Sequence, residues 1–260
     1  MILAVDVGNT NITIGCIDYN KKIHFISRLS TDINKSEDEY AIDFKNILEL
    51  YHININQLDG SIIASVVPPL ITVHKNALEK IIGIAPVIVD KQTKINFNID
   101  LDKDIEIGAD LIVGAAAALD EYKKPIIIFD LGTATTVSVI NSNNTFIGGL
   151  ILPGIKISLE ALSNKTSQLP HIDLINPKKI IGKNSPDSMN SGIINGNAAM
   201  IDGLVERICE ELHEEATVIV TGGLSNVVAP HCRKQVICDN DLLIKGLLII
   251  YKNNIKNPTL

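Results

Sequence analysis

The chain opens on an apolar run, ILAVDV (residues 2–7). A Gly8-Asn9 turn stops it before an alternating run, NITIGCID (residues 11–18), takes over. A polar YNKK turn and a third run, IHFISRLS (residues 23–30), follow. Apolar runs bounded by turn residues, and alternation with period two, are the signals of strands, so the chain is predicted to begin with a three-stranded meander. From Ser36 to Tyr51 the spacing becomes helical. Ile42, Ile47, Leu48 and Tyr51 fall on one face, and acids fill the first turn, where the helix dipole favours them. SIIASVV (residues 61–67) reads as a buried strand halted by Pro68-Pro69, residues 70–82 as a helix, and PVIVD (residues 86–90) as a short strand. Strands alternating with helices favour an α/β architecture.

Residues 108–122, GADLIVGAAAALDEY, predict a small-residue helix whose alanines allow close packing on a neighbour. The opening plan then returns: an apolar strand, the FDLGTATTVSVI stretch (residues 129–140), an NSNN turn and a third strand ending in GGLILPG (residues 148–154). Helices are expected at about 155–163 and 187–214. A buried strand follows in ATVIVTGG (residues 216–223), a late one in KQVIC (residues 234–238), and a closing helix at 241–253. The two Asp-x-Gly turns stand about 124 residues apart. A unit repeated at that distance suggests two lobes with a cleft between them. The expected lobes are residues 1–119 and 120–260.

Composition narrows the class. Hydrophobic residues make up 46% of 260, enough for a sizeable core, but aromatics are only 4% and Trp is absent, so Ile, Leu, Val and Ala must fill it. The formal net charge of −7 argues against a nucleic-acid partner, which favours a basic face. No apolar run approaches the roughly 18 residues of a membrane span, and no basic segment precedes an apolar one at the start. A cytoplasmic protein with no membrane partner is expected. Cys16, Cys209, Cys232 and Cys238 form no Cys-x-x-Cys pair or zinc spacing and are expected to be buried, reduced thiols. The six histidines are scattered and have no catalytic context.

The chemistry therefore rests on the two turns. In each, an acid ends a buried strand just before a glycine: Asp6 ahead of Gly8, Asp130 ahead of Gly132. Glycine permits the reversal and lets a ligand approach the backbone. Turn N–H groups, with the hydroxyls of Thr10, Thr13, Thr133 and Thr135, can line an anion site. The adjacent carboxylate can hold a hard cation. Two such hairpins could clasp a triphosphate and its metal from both sides. GKNS (residues 182–185) is not a Walker A loop, because position 177 is Pro where that loop needs Gly, and no G-x-G-x-x-G follows a strand.

DVGNT, GAD, DLGTATT, GGLILPG and VTGG, in this order, closely resemble the type III pantothenate kinases. That family belongs to the actin and sugar-kinase superfamily, so the resemblance implies two duplicated ribonuclease H-like lobes in an actin-like ATPase fold. It implies that Asp6, Val7, Gly8, Asn9, Thr10, Asn11, Ile12 and Thr13 form the first ATP-phosphate loop, with Asp6 near the metal and the γ-phosphate. Thr133, Gly222 and Gly223 match further ATP contacts. Asp130 matches the ligand of a monovalent cation, K⁺ or NH₄⁺. Asp110 matches the proton acceptor, and Gly108, Ala109 and Ser185 match the substrate site. Position 111 departs from the family: its usual Arg, which could pair with a carboxylate, is Leu111. Leu101 stands near the family's usual Tyr, and Lys103 is one candidate for the missing charge. The implied activity is ATP- and Mg²⁺-dependent phosphorylation of pantothenate by a homodimer, the first step toward coenzyme A. A kinase of another small hydroxyl substrate and a nucleotide-binding accessory factor without turnover are the alternatives.

Overall fold

The computed structural model describes residues 1–102, 105 and 107–255. Its first meander is β1 (Ile2–Val7), β2 (Asn11–Ile17) and β3 (Ile23–Ser30). Helix α1 (Glu37–Leu50) starts at a capping box: the Ser36 hydroxyl accepts the Glu39 N–H, and the Glu39 carboxylate accepts the Ser36 N–H at 2.8 Å. Its buried stripe is Tyr40, Ala41, Phe44, Ile47 and Leu48. Ile42 and Tyr51, expected on that stripe, are 58% and 40% exposed. Tyr40, Phe44 and Leu48, one turn apart, set the direction of the apolar face and turn Ile42 away, while Tyr51 stacks on Phe25 at a 4.4 Å centroid separation.

Then come β4 (Gly60–Ser65), α2 (Pro68–Ile82), β5 (Val87–Ile88), β6 (Asn98–Ile99) and α3 (Ala109–Glu121). Helix α2 begins two residues earlier than its pattern suggested, because proline is well tolerated in a first turn where its missing N–H has no helical partner. The second set is β7 (Ile126–Leu131), β8 (Ala134–Ile140), β9 (Thr145–Pro153), α4 (Ile155–Lys165), α5 (Ser185–Leu212), β10 (Thr217–Thr221), α6 (Ser225–Val228), β11 (Ile237–Cys238) and α7 (Leu242–Asn254). No described helix is long and apolar enough to cross a membrane.

The sheets run in the orders β3-β2-β1-β4-β5 and β11-β10-β7-β8-β9-β6. Apart from β6, each is an antiparallel meander extended by two parallel strands. The repetition reaches single residues. Asp6 pairs with Thr13 and Asp130 with Thr136. The register slips between Cys16 and Ile17 in the first meander and between Val139 and Ile140 in the second, at corresponding positions. Such bulges bend a strand and are specific features of a sheet. The fold is thus α/β with two duplicated lobes.

The chain divides into two compact units, Met1–Phe97 with Lys103–Asp120 and Asp241–Leu260, and Asn98–Asp102 with Glu121–Asn240. They differ from the two contiguous halves expected, because α7 belongs to the first unit. One face of the first sheet, with Leu3, Val5, Val7, Ile12 and Ile14, packs on α1 and α2. Gly15, cross-strand from Ala4, lies against Ile244 of α7 on the other face. The alanine-rich helix α3 packs on α7, where Gly246 sits so close to the Val113 carbonyl that no side chain would fit. Hydrogen bonds tie α7 in place. Tyr251 Oη donates to the Asp59 carbonyl at 3.2 Å, Lys252 Nζ to the Tyr19 carbonyl at 2.8 Å, and Asn254 exchanges two bonds with Lys94.

In the second unit Phe129, Leu131 and Val137 pack with Ile193, Ala198 and Ile201 of α5. The four cysteines are free, but only Cys16 is buried as expected; Cys209 and Cys232 are half-buried, and Cys238, on the two-residue edge strand β11, is exposed.

Candidate active site

The first Asp-x-Gly turn joins β1 to β2. Val7 pairs with Ile12, so Gly8, Asn9, Thr10 and Asn11 bridge the strands. The Gly8 N–H donates to the Asn11 carbonyl at 3.0 Å and closes the turn. Thr31, just past β3, holds it from the side: its Oγ1 donates to the Gly8 carbonyl at 2.7 Å and its N–H to the Thr10 carbonyl at 3.0 Å. Asn9, Thr10 and Asn11 are exposed, and Asp6, Gly8 and Thr13 half-buried. Val7 and Ile12 are fully buried in the core, so only their backbones are available to a ligand.

The second turn is one residue tighter. Leu131 pairs with Thr135, and Gly132, Thr133 and Ala134 bridge β7 and β8. Gly132 and Thr133 are exposed and Asp130 is half-buried. Thr135, expected among the anion-binding hydroxyls, is fully buried. It stands opposite Leu131, and cross-strand partners share a face, so its side chain turns into the core instead.

Two glycines from elsewhere in the sequence meet this turn. Gly154, which ends GGLILPG and caps α4, lies against the carbonyls of Gly132 and Thr133, leaving no room for a side chain. Gly222, at the end of β10, has φ +92°. A Cβ there would stand 2.5 Å from Asp130 Oδ1 and 2.7 Å from the Leu131 nitrogen. The Asp130 carboxylate thus faces a bare backbone turn, and Gly223 beside it is exposed. Sequence reading brought Asp130, Thr133 and Gly222 forward; the structure brings them together. It missed Gly154, whose signal was its place at the end of GGLILPG, and Thr31, which carries no motif.

Asp110 lies in the first turn of α3. Its Oδ1 accepts the Leu111 N–H at 2.9 Å and lies over Gly108, where any side chain would meet it. Gly108 and Ala109 are half-buried, as is Leu111. Burial pushes the Asp110 carboxyl above its ordinary value of 3.8, against the pull of the Leu111 and Asp110 N–H groups. A carboxylate of raised pKa is the stronger base, so this environment suits proton abstraction.

Ser185 opens α5 beside its cap, Asn184, whose Oδ1 accepts the Asp187 N–H at 2.8 Å. Ser185 lines a cavity of about 710 Å³ within the second unit, with Leu162, Leu169, Met189 and Ile193 on its apolar side and Lys183, Asn184 and Ser188 among its polar lining. Leu101, in the same unit, is half-buried and lies over Gly148 of β9. Lys103 lies outside the described residues.

A model of the type III pantothenate kinase family matches residues 2–207. The chain is 40% identical over 255 residues to the type III pantothenate kinase of Halalkalibacterium halodurans, covering 98% of this chain and 100% of that one.

The chain belongs to the type III pantothenate kinase family.

Solved structures agree on the fold. A conserved Baf family protein from Campylobacter jejuni aligns with a TM-score of 0.60 at 19% identity, over 97% of this chain and 98% of that one. A ROK family glucokinase from Streptomyces griseus aligns at 0.51 with 14% identity, over 96% and 98%. Among the described residues no group of three or more His, Cys, Asp and Glu could hold a metal ion. A cation at Asp130 would complete its oxygen shell from backbone carbonyls, water and substrate phosphate. The bare backbone at Gly222, a cradle that any Cβ would fill, fits that arrangement.

Proposed function

We propose that the enzyme transfers the γ-phosphoryl group of ATP to the primary hydroxyl of pantothenate, giving 4′-phosphopantothenate for coenzyme A biosynthesis. The observation that carries this reading is near-full-length family membership with both Asp-x-Gly turns and the Gly-Ala-Asp start of α3 intact. The turn Asp6–Thr13 supplies N–H and hydroxyl groups to the phosphates, and Asp6 would help hold the Mg²⁺ that arrives with ATP. Thr133, Gly222 and Gly223 contribute on the nucleotide side, and Asp130 holds a monovalent cation, K⁺ or NH₄⁺. Bound cations supply positive charge that neutralises the phosphoryl oxygens.

Asp110 accepts the proton of the substrate hydroxyl as that oxygen bonds to phosphorus and the bond to the ADP oxygen breaks. Gly108, Ala109 and Ser185 position the alcohol. Positioning and charge neutralisation supply most of the rate, because phosphoryl transfer leaves little covalent work to the protein.

The direct test is ADP release with Mg²⁺-ATP and pantothenate, in K⁺ and in Na⁺ alone. Pantothenate-dependent turnover that requires K⁺ is the expected result. ATP binding without pantothenate-dependent turnover would overturn the substrate assignment. It would favour the second reading, a kinase of another small alcohol, which Leu111 and Leu101 in place of the family's Arg and Tyr support.

The working form is a cytoplasmic homodimer that binds neither nucleic acid nor membrane. Four free cysteines support a reducing compartment. Light scattering should give twice the 28.2 kDa chain mass, and a monomer at micromolar concentration would refute the dimer.

A further inference from the structure

Pantothenate is a carboxylate, and Leu111, where the family resemblance implies an Arg that could pair with it, offers that charge no partner. An alternative cation can be sought in the cavity that Ser185 lines. Among the described residues Lys183 is the only charged side chain lining that cavity, and no acid lines it. Lys183 makes no ion pair among the described residues. The nearby helix end does not compete for an anion. Asn184 caps the Asp187 N–H, Pro186 has no N–H to offer, and the Asp187 carboxylate already accepts a bond from Asn184 Nδ2 at 2.8 Å. The demand for positive charge therefore falls on the Lys183 ammonium.

The segment carrying Lys183 is fixed to α5 at three places. The Ile175 N–H donates to Asn190 Oδ1 at 2.8 Å, and Ser191 Oγ donates to the Ile180 carbonyl at 2.6 Å. Asn190 and Ser191 are both buried. Gly182 lies directly on the backbone of Asp187 and Ser188, at a distance no larger residue would allow. The Lys183 backbone is thus held in place while its side chain is exposed. The lining around it is mixed, with Leu162, Leu169, Met189 and Ile193 apolar and Asn184, Ser185 and Ser188 polar. That mixture of groups suits a hydroxy acid with a branched apolar middle.

We propose that Lys183 anchors the substrate carboxylate in this enzyme and determines its preference for an acid over a neutral alcohol. The proposal rests on the function assigned above and names the charge recognition within it. Because Lys183 is exposed, the pair stays solvated and its contribution is moderate. A charge-assisted hydrogen bond of this kind corresponds to roughly a tenfold change in KM.

The experiment compares wild type, Lys183→Met, Lys183→Arg and Lys103→Met in the ADP-release assay, with pantothenate and with pantothenol, whose carboxylate is replaced by a hydroxymethyl group. Met keeps most of the aliphatic stem and removes the charge. In Lys183→Met the KM for pantothenate should rise about tenfold, while kcat, the KM for ATP and the KM or inhibition constant of pantothenol stay within about twofold. Lys183→Arg should retain most of the affinity, and Lys103→Met should leave it unchanged. An unmoved pantothenate KM in Lys183→Met overturns the anchor. So does a parallel rise for pantothenol, or an effect at Lys103 in its place. If the wild-type protein does not phosphorylate pantothenate at all, the functional assignment fails and the anchor fails with it.

Discussion

Asp110→Asn lowers kcat by about two to four orders of magnitude while ATP affinity is retained, because general-base catalysis contributes on that scale and Asn cannot accept the proton. Asn is nearly isosteric, and its side-chain oxygen can still take the Leu111 N–H that Asp110 Oδ1 accepts at 2.9 Å. The fold of α3 is therefore preserved, and the loss appears in turnover. The pH profile provides an independent check. Burial holds the Asp110 carboxyl above 3.8, and in the proposed role of base the carboxylate is the active form. Activity is then present above the folded-state pKa and lost as pH falls through it, so the acid limb of kcat/KM lies above the ordinary aspartate range. The same shift acts on stability with the opposite sign. A carboxyl raised in the folded state favours folding when protonated, and that contribution is lost as pH rises from 3.8 through the folded value. Steady-state kinetics across pH, with calorimetric ATP titration of the variant, measure both effects. Turnover within tenfold of wild type would remove Asp110 from the role of base.

Gly222→Ala carries the largest expected structural effect, and Gly83→Ala is its control. Both glycines have positive φ, +92° and +78°. A non-glycine residue there costs about 1–2 kcal/mol. At Gly83, after α2, a Cβ meets nothing within 4 Å, so that cost is the whole effect. At Gly222 the same Cβ stands 2.5 Å from Asp130 Oδ1 and 2.7 Å from the Leu131 nitrogen. The carboxylate can swing aside, but the backbone of β7 cannot, and overpacking adds about 1–3 kcal/mol. Gly222→Ala should therefore lower stability by about 2–5 kcal/mol and Gly83→Ala by about 1–2 kcal/mol. Under the cation role proposed for Asp130, only the former should also weaken the dependence on K⁺, because its methyl group displaces the Asp130 carboxylate. Thermal unfolding and K⁺ titration of the two variants test this. Equal losses of stability would show that the close approach at Gly222 does not matter.

The strands and both Asp-x-Gly turns were legible in the sequence because apolar runs, glycine turns and acids at strand ends are local signals. IHFISRLS became β3 at the residues expected. The matching bulges at Cys16 and Val139 were not legible, since nothing in the residue types marks them. Side-chain direction near the turns was the main local failure. Thr135 looked like one more hydroxyl of a threonine-rich loop, but the tighter second hairpin places it opposite Leu131, on the core face. Ile42 looked apolar and well spaced, yet larger aromatics fixed the helix face elsewhere. The chemistry at Asp130 was readable only in part. The acid and its turn are local in sequence, but Gly154 and Gly222, which shape the space around it, come from distant strands.

Helix α7 bears on the order in which the chain acquires its structure. Leu242, Ile244, Leu247, Leu248 and Ile250 are almost wholly buried, and burying each contributes about 1.5–3 kcal/mol. Their sum is comparable to the net stability of a whole domain, about 5–15 kcal/mol. During synthesis the first sheet emerges early, but the helix covering one of its faces emerges last. The second unit, Asn98–Asp102 with Glu121–Asn240, is complete before that. The first unit is therefore the later of the two to have all of its residues available, against the usual N-terminal-first order. The nascent first unit carries an uncovered apolar surface until translation reaches α7, and a ribosome stalled before residue 242 holds a chain whose earliest strands are still unfinished.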